Sequence, residues 1–348
     1  GLSSLPDTFP YEGGGSGGET GGGGESSEYE TGSVSADASD KVSVEAKLTI
    51  TKHDSLTEEV LEGAQITING KTASSGANGT VTRREKESHE ASASGPTYTY
   101  VVNWDSLDDG QKADADNHGY YHSRDAAYEA SRAQASGQIG SELSDWVHDW
   151  RAKFQASETA PPYGYCNNEA NNYSVTAKDG QHKYHDFYNK PWEAWLKVVK
   201  HDSVTGQTDF SLSDADFSVY EFQKETGKYV PYRYEDRRVM KDQGDGTYLV
   251  GPLYYNPSNQ GKFMILETES PYGYTIDQET NRFYFEITGE RQITFTQGNI
   301  WNTEGTYPAS EDHPHSFQAY NEPWKIKVSV DKQDEDTGKR LSAVLFQI

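Results

Sequence analysis

Apolar and polar residues alternate along much of this chain, and the alternation returns in three places that begin alike. In Val42-Ser43-Val44-Glu45-Ala46-Lys47-Leu48-Thr49-Ile50 most second residues are apolar, and the run ends at Lys52. A period of two gives a strand one buried and one wet face, so this stretch predicts a β-strand. Nine residues after Lys52, Leu61-Glu62-Gly63-Ala64-Gln65-Ile66-Thr67-Ile68 alternates again. Residues 212–219 do so twelve after Lys200, and 341–348 nine after Lys332. Each predicts a second strand with one buried face. Further strands are predicted at 95–102, 246–250, 263–266 and 282–287, with Gly- and Pro-bearing turns between. Many short strands of this kind imply β-sandwiches, an all-β class. One stretch has another period. Leu143, Trp146, Val147, Trp150 and Phe154 recur at steps of three and four, which predicts a helix, with Ser141 as its N-cap after Gly140.

The strand pattern is threaded by three landmarks that recur in order. The first copy has Lys52-His53-Asp54, then Glu158-Thr159-Ala160-Pro161-Pro162-Tyr163-Gly164-Tyr165, then Asn189-Lys190-Pro191-Trp192. The second has Lys200-His201-Asp202, then Glu267-Thr268-Glu269-Ser270-Pro271-Tyr272-Gly273-Tyr274, then Asn321-Glu322-Pro323-Trp324. A third begins at Lys332-Gln333-Asp334. A repeat of over a hundred residues means separate domains in tandem, not a solenoid. Lys52 and Glu158 are 106 apart where Lys200 and Glu267 are 67 apart, so the first domain carries an insertion, placed at about 104–153 with the predicted helix inside it. Glu158 and Asn189 are 31 apart where Glu267 and Asn321 are 54 apart, which places a second insertion at about 288–318. The predicted plan is a flexible Gly-rich leader at 1–40, sandwiches at 41–191 and 192–323, and the start of a third, incomplete domain at 324–348.

A lysine ending the first strand, an asparagine on the last and a glutamate between them are the parts of an internal amide cross-link. If first and last strands pack side by side, the amine and the carboxamide meet in the core. Burial disfavours the ammonium and the carboxylate alike, giving a neutral nucleophile and a protonated glutamate. That glutamate can polarise the amide carbonyl and carry protons to departing ammonia. Folding supplies the proximity. The product constrains the chain as a disulfide does, but resists reduction. It joins first strand to last, so a pulling force would bypass most of the domain.

Lys-x-Asp, Leu-x-x-Ala-x-Phe/Ile, Glu-Thr-x-x-Pro-Tyr-Gly-Tyr and the closing Asn-x-Pro together resemble the Cna-B type (SpaA-like, prealbumin-type) domains of Gram-positive surface adhesins and pilins. The resemblance covers roughly 41–348 apart from the insertions. It implies tandem Ig-like or prealbumin-type sandwiches, with Lys52, Glu158 and Asn189 as one bonding set and Lys200, Glu267 and Asn321 as the next. The glutamates would be the proton shuttles, and Lys332 the nucleophile of a third domain. The polymerising Tyr-Pro-Lys motif of a shaft pilin is not recognisable here, which favours a surface stalk or adhesin.

Composition narrows the partners. Lys plus Arg is 31 and Asp plus Glu is 55, a net charge of −24. Such acidity argues against nucleic acid and against anionic membrane surfaces. No apolar run is long enough to span a membrane. Cys166 is the one cysteine, so no internal disulfide is available, and a passive residue is the expectation for it. Gly1 does not read as an initiator and no signal peptide follows it, so the expectation is a processed or excised piece of something longer.

The remaining candidates are weak. His118 and His122 are four apart near Asp114 and Asp116, but Gly119 divides them and the region reads as loop. The pairs His182/His185 and His313/His315 are similar. Asp105, Asp108 and Asp109 lack an EF-hand pattern. Leu5-Pro6-Asp7-Thr8-Phe9 resembles a sortase signal, but a Gly-rich tract follows it where an apolar segment belongs.

The functional expectation is therefore a structural, cell-surface stalk or pilus-like module, extracellular and cell-wall associated, with no cofactor and no metal. Its partners would be neighbouring domains or subunits of the same fibre. The alternative is an adhesin whose insertions bind host protein or glycan. Turnover of an outside substrate is not expected, because no Ser/His/Asp set, phosphate loop or metal motif is present.

Overall fold

The computed structural model describes residues 29–208, 210–279, 281–297, 309–345 and 347. The sortase-like pentapeptide and the Gly-rich tract lie outside these residues. Among these described residues, nineteen strands and two α-helices follow in order. The first are β1 (Thr31–Val34), β2 (Asp37–Asp54), β3 (Gln65–Ile68), β4 (Lys71–Ser74), β5 (Thr80–Ser94) and β6 (Tyr98–Val101), then α1 (Asp109–Asn117) and α2 (Arg124–Asp149). Next come β7 (Ala152–Ala160), β8 (Asn172–Ala177), β9 (His182–Asn189), β10 (Glu193–Asp202), β11 (Asp216–Gln223), β12 (Lys228–Pro231) and β13 (Met240–Asp242). The last are β14 (Thr247–Tyr254), β15 (Lys262–Glu269), β16 (Tyr274–Thr275), β17 (Arg282–Gly289), β18 (Gln292–Gln297) and β19 (His315–Pro323). The protein is all-β with tandem sandwiches, and among the described residues the α-helices are confined to one stretch.

Two compact units divide the chain: residues up to Glu45 with Lys86–Arg151, and Ala46–Glu85 with Ala152 onward. In the first, β1 and β6 pair antiparallel, and α2 packs on them. The buried positions of α2 are Ala127, Ser131, Ala135, Ile139 and Leu143, each four residues on from the last. Small side chains here allow close approach. A Cβ added to Gly95 would stand 2.1 Å from the Ser131 carbonyl oxygen. The Ser131 hydroxyl accepts from the Ala36 amide and donates to the Pro96 carbonyl.

Several expectations are corrected in this unit. Residues 31–34 and 37–40 are strand, not leader. The helix starts at Ser123, whose hydroxyl accepts from the Ala126 amide, so Ser141 is an interior residue and not a cap. Phe154 is not on the helix but in β7, where it faces the core. Residues 109–117 form a helix rather than a loop, and Asp108 is its N-cap in a capping box with Gln111.

The second unit holds both sandwiches. In one, the sheet β5-β2-β9 is joined by the sheet β4-β3-β7-β8. Alternation fills the space between: Leu48 and Ile50 of β2, Ile66 and Ile68 of β3, Phe154 of β7 and Phe187 of β9 are all buried. In the other, β13-β14-β10-β19-β16 faces β12-β11-β15-β17-β18. Its core runs through Leu196, Phe217, Val250, Phe263, Phe283, Phe285 and Phe317. The stretch read as a second insertion contains the ordered strand β18, and 298–308 lie outside the described residues.

In each sandwich the first strand runs parallel to the last. Lys52 pairs with Phe187 and Asp54 with Asn189 along β2 and β9. Lys200 pairs with Ala319 and Asp202 with Asn321 along β10 and β19. The lysine and asparagine therefore sit two positions apart on adjacent strands and on the same face of the sheet.

Candidate functional site

The Lys-x-Asp motif ends the first strand in a tight side-chain turn. Asp54 Oδ1 accepts from the amides of Leu56 and Thr57, and Asp202 Oδ1 from those of Val204 and Thr205. The second oxygen of each is taken by a tyrosine from the other motif. Tyr165 donates to Asp54 Oδ2 at 2.9 Å, and Tyr274 to Asp202 Oδ2 at 3.0 Å. Pro-Tyr-Gly-Tyr is itself a turn. The Tyr165 amide returns to the Pro162 carbonyl and the Tyr274 amide to that of Pro271, with φ of +92° at Gly164 and +87° at Gly273. A positive φ at the third position is what calls for glycine there. The bond between the motifs fixes the end of the lysine strand against the turn that follows the glutamate strand.

Lysine and asparagine project from one sheet, and glutamate reaches them from the other: Glu158 pairs with Ile66 in the sheet of β3 and β7, and Glu267 with Phe217 in that of β11 and β15. The Lys52, Lys200, Glu158 and Glu267 side chains are all 0% exposed. Lys52 Nζ lies 3.1 Å from Glu158 Oε1, and Lys200 Nζ lies 3.2 Å from Glu267 Oε1. These are ion-pair distances without hydrogen-bond alignment, and all four atoms lack a hydrogen bond. A buried polar atom without a partner costs about 1–3 kcal/mol.

The other glutamate oxygen faces the asparagine. Asn189 Nδ2 donates to Glu158 Oε2 at 2.8 Å and to the Cys166 carbonyl at 2.8 Å. Asn321 Nδ2 donates to Glu267 Oε2 at 3.3 Å and to the Thr275 carbonyl at 2.7 Å. Two acceptors on one side oblige the amide nitrogen to face them, which orients each carboxamide. Asn189 Oδ1 is left buried without a hydrogen bond.

Burial holds the Lys52 and Lys200 ammonium groups down to about 8 from an ordinary 10.5, against the opposing pull of Glu158 and Glu267. Burial likewise pushes the Glu267 carboxyl up, opposed by Lys200 and its hydrogen bonds. In the second pair burial opposes both charges, which brings the ion pair closer in energy to a neutral amine beside a protonated acid. Phe217 lines that pocket, with Lys200 Nζ 5.9 Å from its ring centroid.

Two residues of these clusters carry no sequence landmark. Asn171 donates to Glu158 Oε2 at 2.9 Å, and Asn281 to Glu267 Oε2 at 2.6 Å. Each immediately precedes a strand as Asn-x-aromatic, Asn171-Asn172-Tyr173 before β8 and Asn281-Arg282-Phe283 before β17, which is the signal that could have found them.

The remaining candidates are placed elsewhere. Lys332 is exposed. Its carbonyl accepts from the Leu341 amide as that of Lys52 accepts from Leu61, and Asp334 Oδ1 accepts from the Thr337 amide. Cys166 is half-buried, its thiol directed at Glu290 Oε2 and pushed up to about 11 by burial and that carboxylate. His122 bonds Asp116 and stacks on Trp104 with centroids 3.6 Å apart, whereas His118 bonds the Asp114 carbonyl. Among the described residues no group of three or more His, Cys, Asp or Glu is placed to hold a metal ion, and no helix is long and apolar enough to cross a membrane.

No family model matches this chain, and no curated protein matches it. Among solved structures it is similar to the Bacillus anthracis TIE protein at 16% identity, covering 80% of this chain and 34% of that one, with a TM-score of 0.40. It is similar to a streptococcal ancillary pilin at 14%, covering 81% and 63%, with a TM-score of 0.28. A C-terminal fragment of the pilus adhesin SpaC from Lactobacillus rhamnosus GG is similar at 13%, covering 81% and 99%, with a TM-score of 0.36. The chain thus spans about a third of the first and less than two thirds of the second.

Proposed function

We propose that this chain is part of an extracellular, cell-wall-associated stalk or pilus-like adhesin whose two sandwiches each close an intramolecular amide bond, Lys52 to Asn189 and Lys200 to Asn321. Its partners are neighbouring domains or subunits of the same fibre, and its only chemistry is performed once, on itself. The observation that carries this reading is one buried carboxyl group per sandwich. It faces the attacking amine with one oxygen and the departing amide nitrogen with the other.

The reaction follows from that arrangement. A proton passes from Lys Nζ to Glu Oε1, turning a buried ion pair into an amine and an acid. The Nζ lone pair attacks Asn Cγ, and the carbonyl electron pair moves onto Oδ1. As it returns, the bond from Cγ to Nδ2 breaks. Nζ goes from three protons to one. One of the two it gives up ends on Nδ2, which leaves as ammonia, and the other stays on the glutamate, now neutral. The glutamate can serve both nitrogens because it lies between them. The buried charges vanish with the reaction, which removes the cost of keeping them out of water.

The test is the intact mass of the fully denatured chain. Two closed bonds leave it short by two ammonia molecules, and Lys52→Ala and Lys200→Ala each restore one. A wild-type mass equal to the sequence value would sink the proposal.

A further inference from the structure

Asn171 and Asn281 make the same contacts in two sandwiches that differ in strand number and insertion. The main-chain carbonyl of each accepts from the amide of its glutamate, Glu158 or Glu267. Each side-chain oxygen accepts from the amide of the residue just before the reacting asparagine, Tyr188 or Tyr320, at 3.1 Å. Each side-chain nitrogen donates to the carbonyl of that same tyrosine at 2.9 Å and to the glutamate Oε2. A single buried carboxamide thus ties the strand bearing the glutamate to the strand bearing the asparagine. Asn171 is 5% exposed and Asn281 1%. Loop asparagines with no task are rarely buried this completely.

We propose that Asn171 and Asn281 are positioning residues for amide-bond closure: each fixes the glutamate so that Oε1 is the oxygen that exchanges a proton with lysine. The inference rests on the cross-linking function proposed above. A carboxyl oxygen that carries a proton is a poor acceptor. Two N–H donors on Oε2, one from the positioning asparagine and one from the reacting asparagine, therefore place the acid proton on Oε1, facing Nζ. In the second sandwich the arrangement goes further. Asn281 Nδ2 also lies 3.3 Å from Asn321 Oδ1, the oxygen that becomes negative when the amine attacks. Its two protons face three acceptors, at 2.6, 2.9 and 3.3 Å. The longest contact gains most as charge arrives on Oδ1, so this donation is stronger in the transition state than before it.

The test uses the full chain, recovered unfolded and unbonded, refolded, and followed by intact mass and tryptophan fluorescence. Wild type is expected to reach a deficit of two ammonia molecules. Asn281→Ala is expected to fold, to close the first bond normally, and to close the second about 100-fold more slowly, the usual loss when one preorganised donor is removed. The acidic limb of its rate profile should move to higher pH, since Glu267 loses a donor that favours its carboxylate. A residue that merely holds structure would slow closure without moving that limb. Asn281→Asp keeps the shape and loses both N–H donors, so it should be blocked near neutrality and recover as acid restores one O–H. Asn171→Ala repeats the test in the other sandwich. If folded Asn171→Ala and Asn281→Asp close their bonds at the wild-type rate near neutral pH, the positioning role is overturned and the cross-link stands. If wild type itself loses no ammonia, the cross-linking function fails first.

Discussion

Replacing Lys200 with methionine isolates what the second bond contributes. Methionine keeps most of the methylene stem that packs near Phe217 and removes only the nucleophile. Glu267, already pushed up by burial, can stay neutral and keep the donors from Asn281 and Asn321. The bond from Lys200 to Asn321 closes a loop of about 120 residues, and loop-closure entropy at that length gives about 5 kcal/mol. For a sandwich of this size, about 4 °C per kcal/mol turns that into a fall of roughly 15–25 °C in the melting temperature of the second sandwich. Calorimetry of Lys200→Met beside wild type reads the shift. Intact mass of the same samples should show the ammonia deficit falling from two to one. A variant that lost one deficit yet melted within about 3 °C of wild type would refute the entropic reasoning. A variant that kept both deficits would refute the assignment of Lys200.

Three further outcomes follow from the same geometry. Tyr165→Phe removes the donor to Asp54 Oδ2 and should cost about 1–3 kcal/mol by urea unfolding in a Lys52→Met background, and a change under about 0.3 kcal/mol would deny the latch. Closure needs one proton shared between lysine and glutamate, so deprotonation at about 8 removes the reactive form. The second-sandwich rate should therefore fall as pH rises through about 8, and a rate still climbing there would show that the glutamate acts without a proton. Gly164→Ala would place a Cβ 1.9 Å from the Tyr255 ring at a φ of +92°, whereas Gly273→Ala meets nothing within 4 Å. The first should loosen the contacts among Tyr163, Trp192 and Tyr255, seen as faster hydrogen exchange at the Trp192 and Tyr255 amides; equal effects from both variants would count against that junction.

The lysines, glutamates and asparagines were legible because a buried charge at the end of an alternating strand is unusual, and here it recurs with its partners. Single asparagines carry no such mark. Asn171 and Asn281 look like turn residues until the register of β9 and β19 brings the tyrosine amides to them. The start of α2 was hidden for a different reason. Its buried stripe begins as Ala127, Ser131 and Ala135, residues small enough for close packing but too weakly apolar to register in a hydrophobic pattern. Alternation alone does not make a strand where none of the described residues pairs with it. Ile326, Val328 and Val330 alternate as Leu196 and Val198 do, yet they are 85%, 60% and 50% exposed and form no strand.

The parallel pairing of first and last strands also fixes how far such a chain can be drawn out. Between Lys52 and Asn189, and between Lys200 and Asn321, lie about 260 residues that would pay out roughly 850–900 Å if stretched straight. With both bonds closed none of that length can be released, because tension enters and leaves each sandwich through the two strands the bond joins. Each sandwich would then behave as an inextensible link. Under the proposed cross-linking, a sudden load would pass through each link without being absorbed by unravelling.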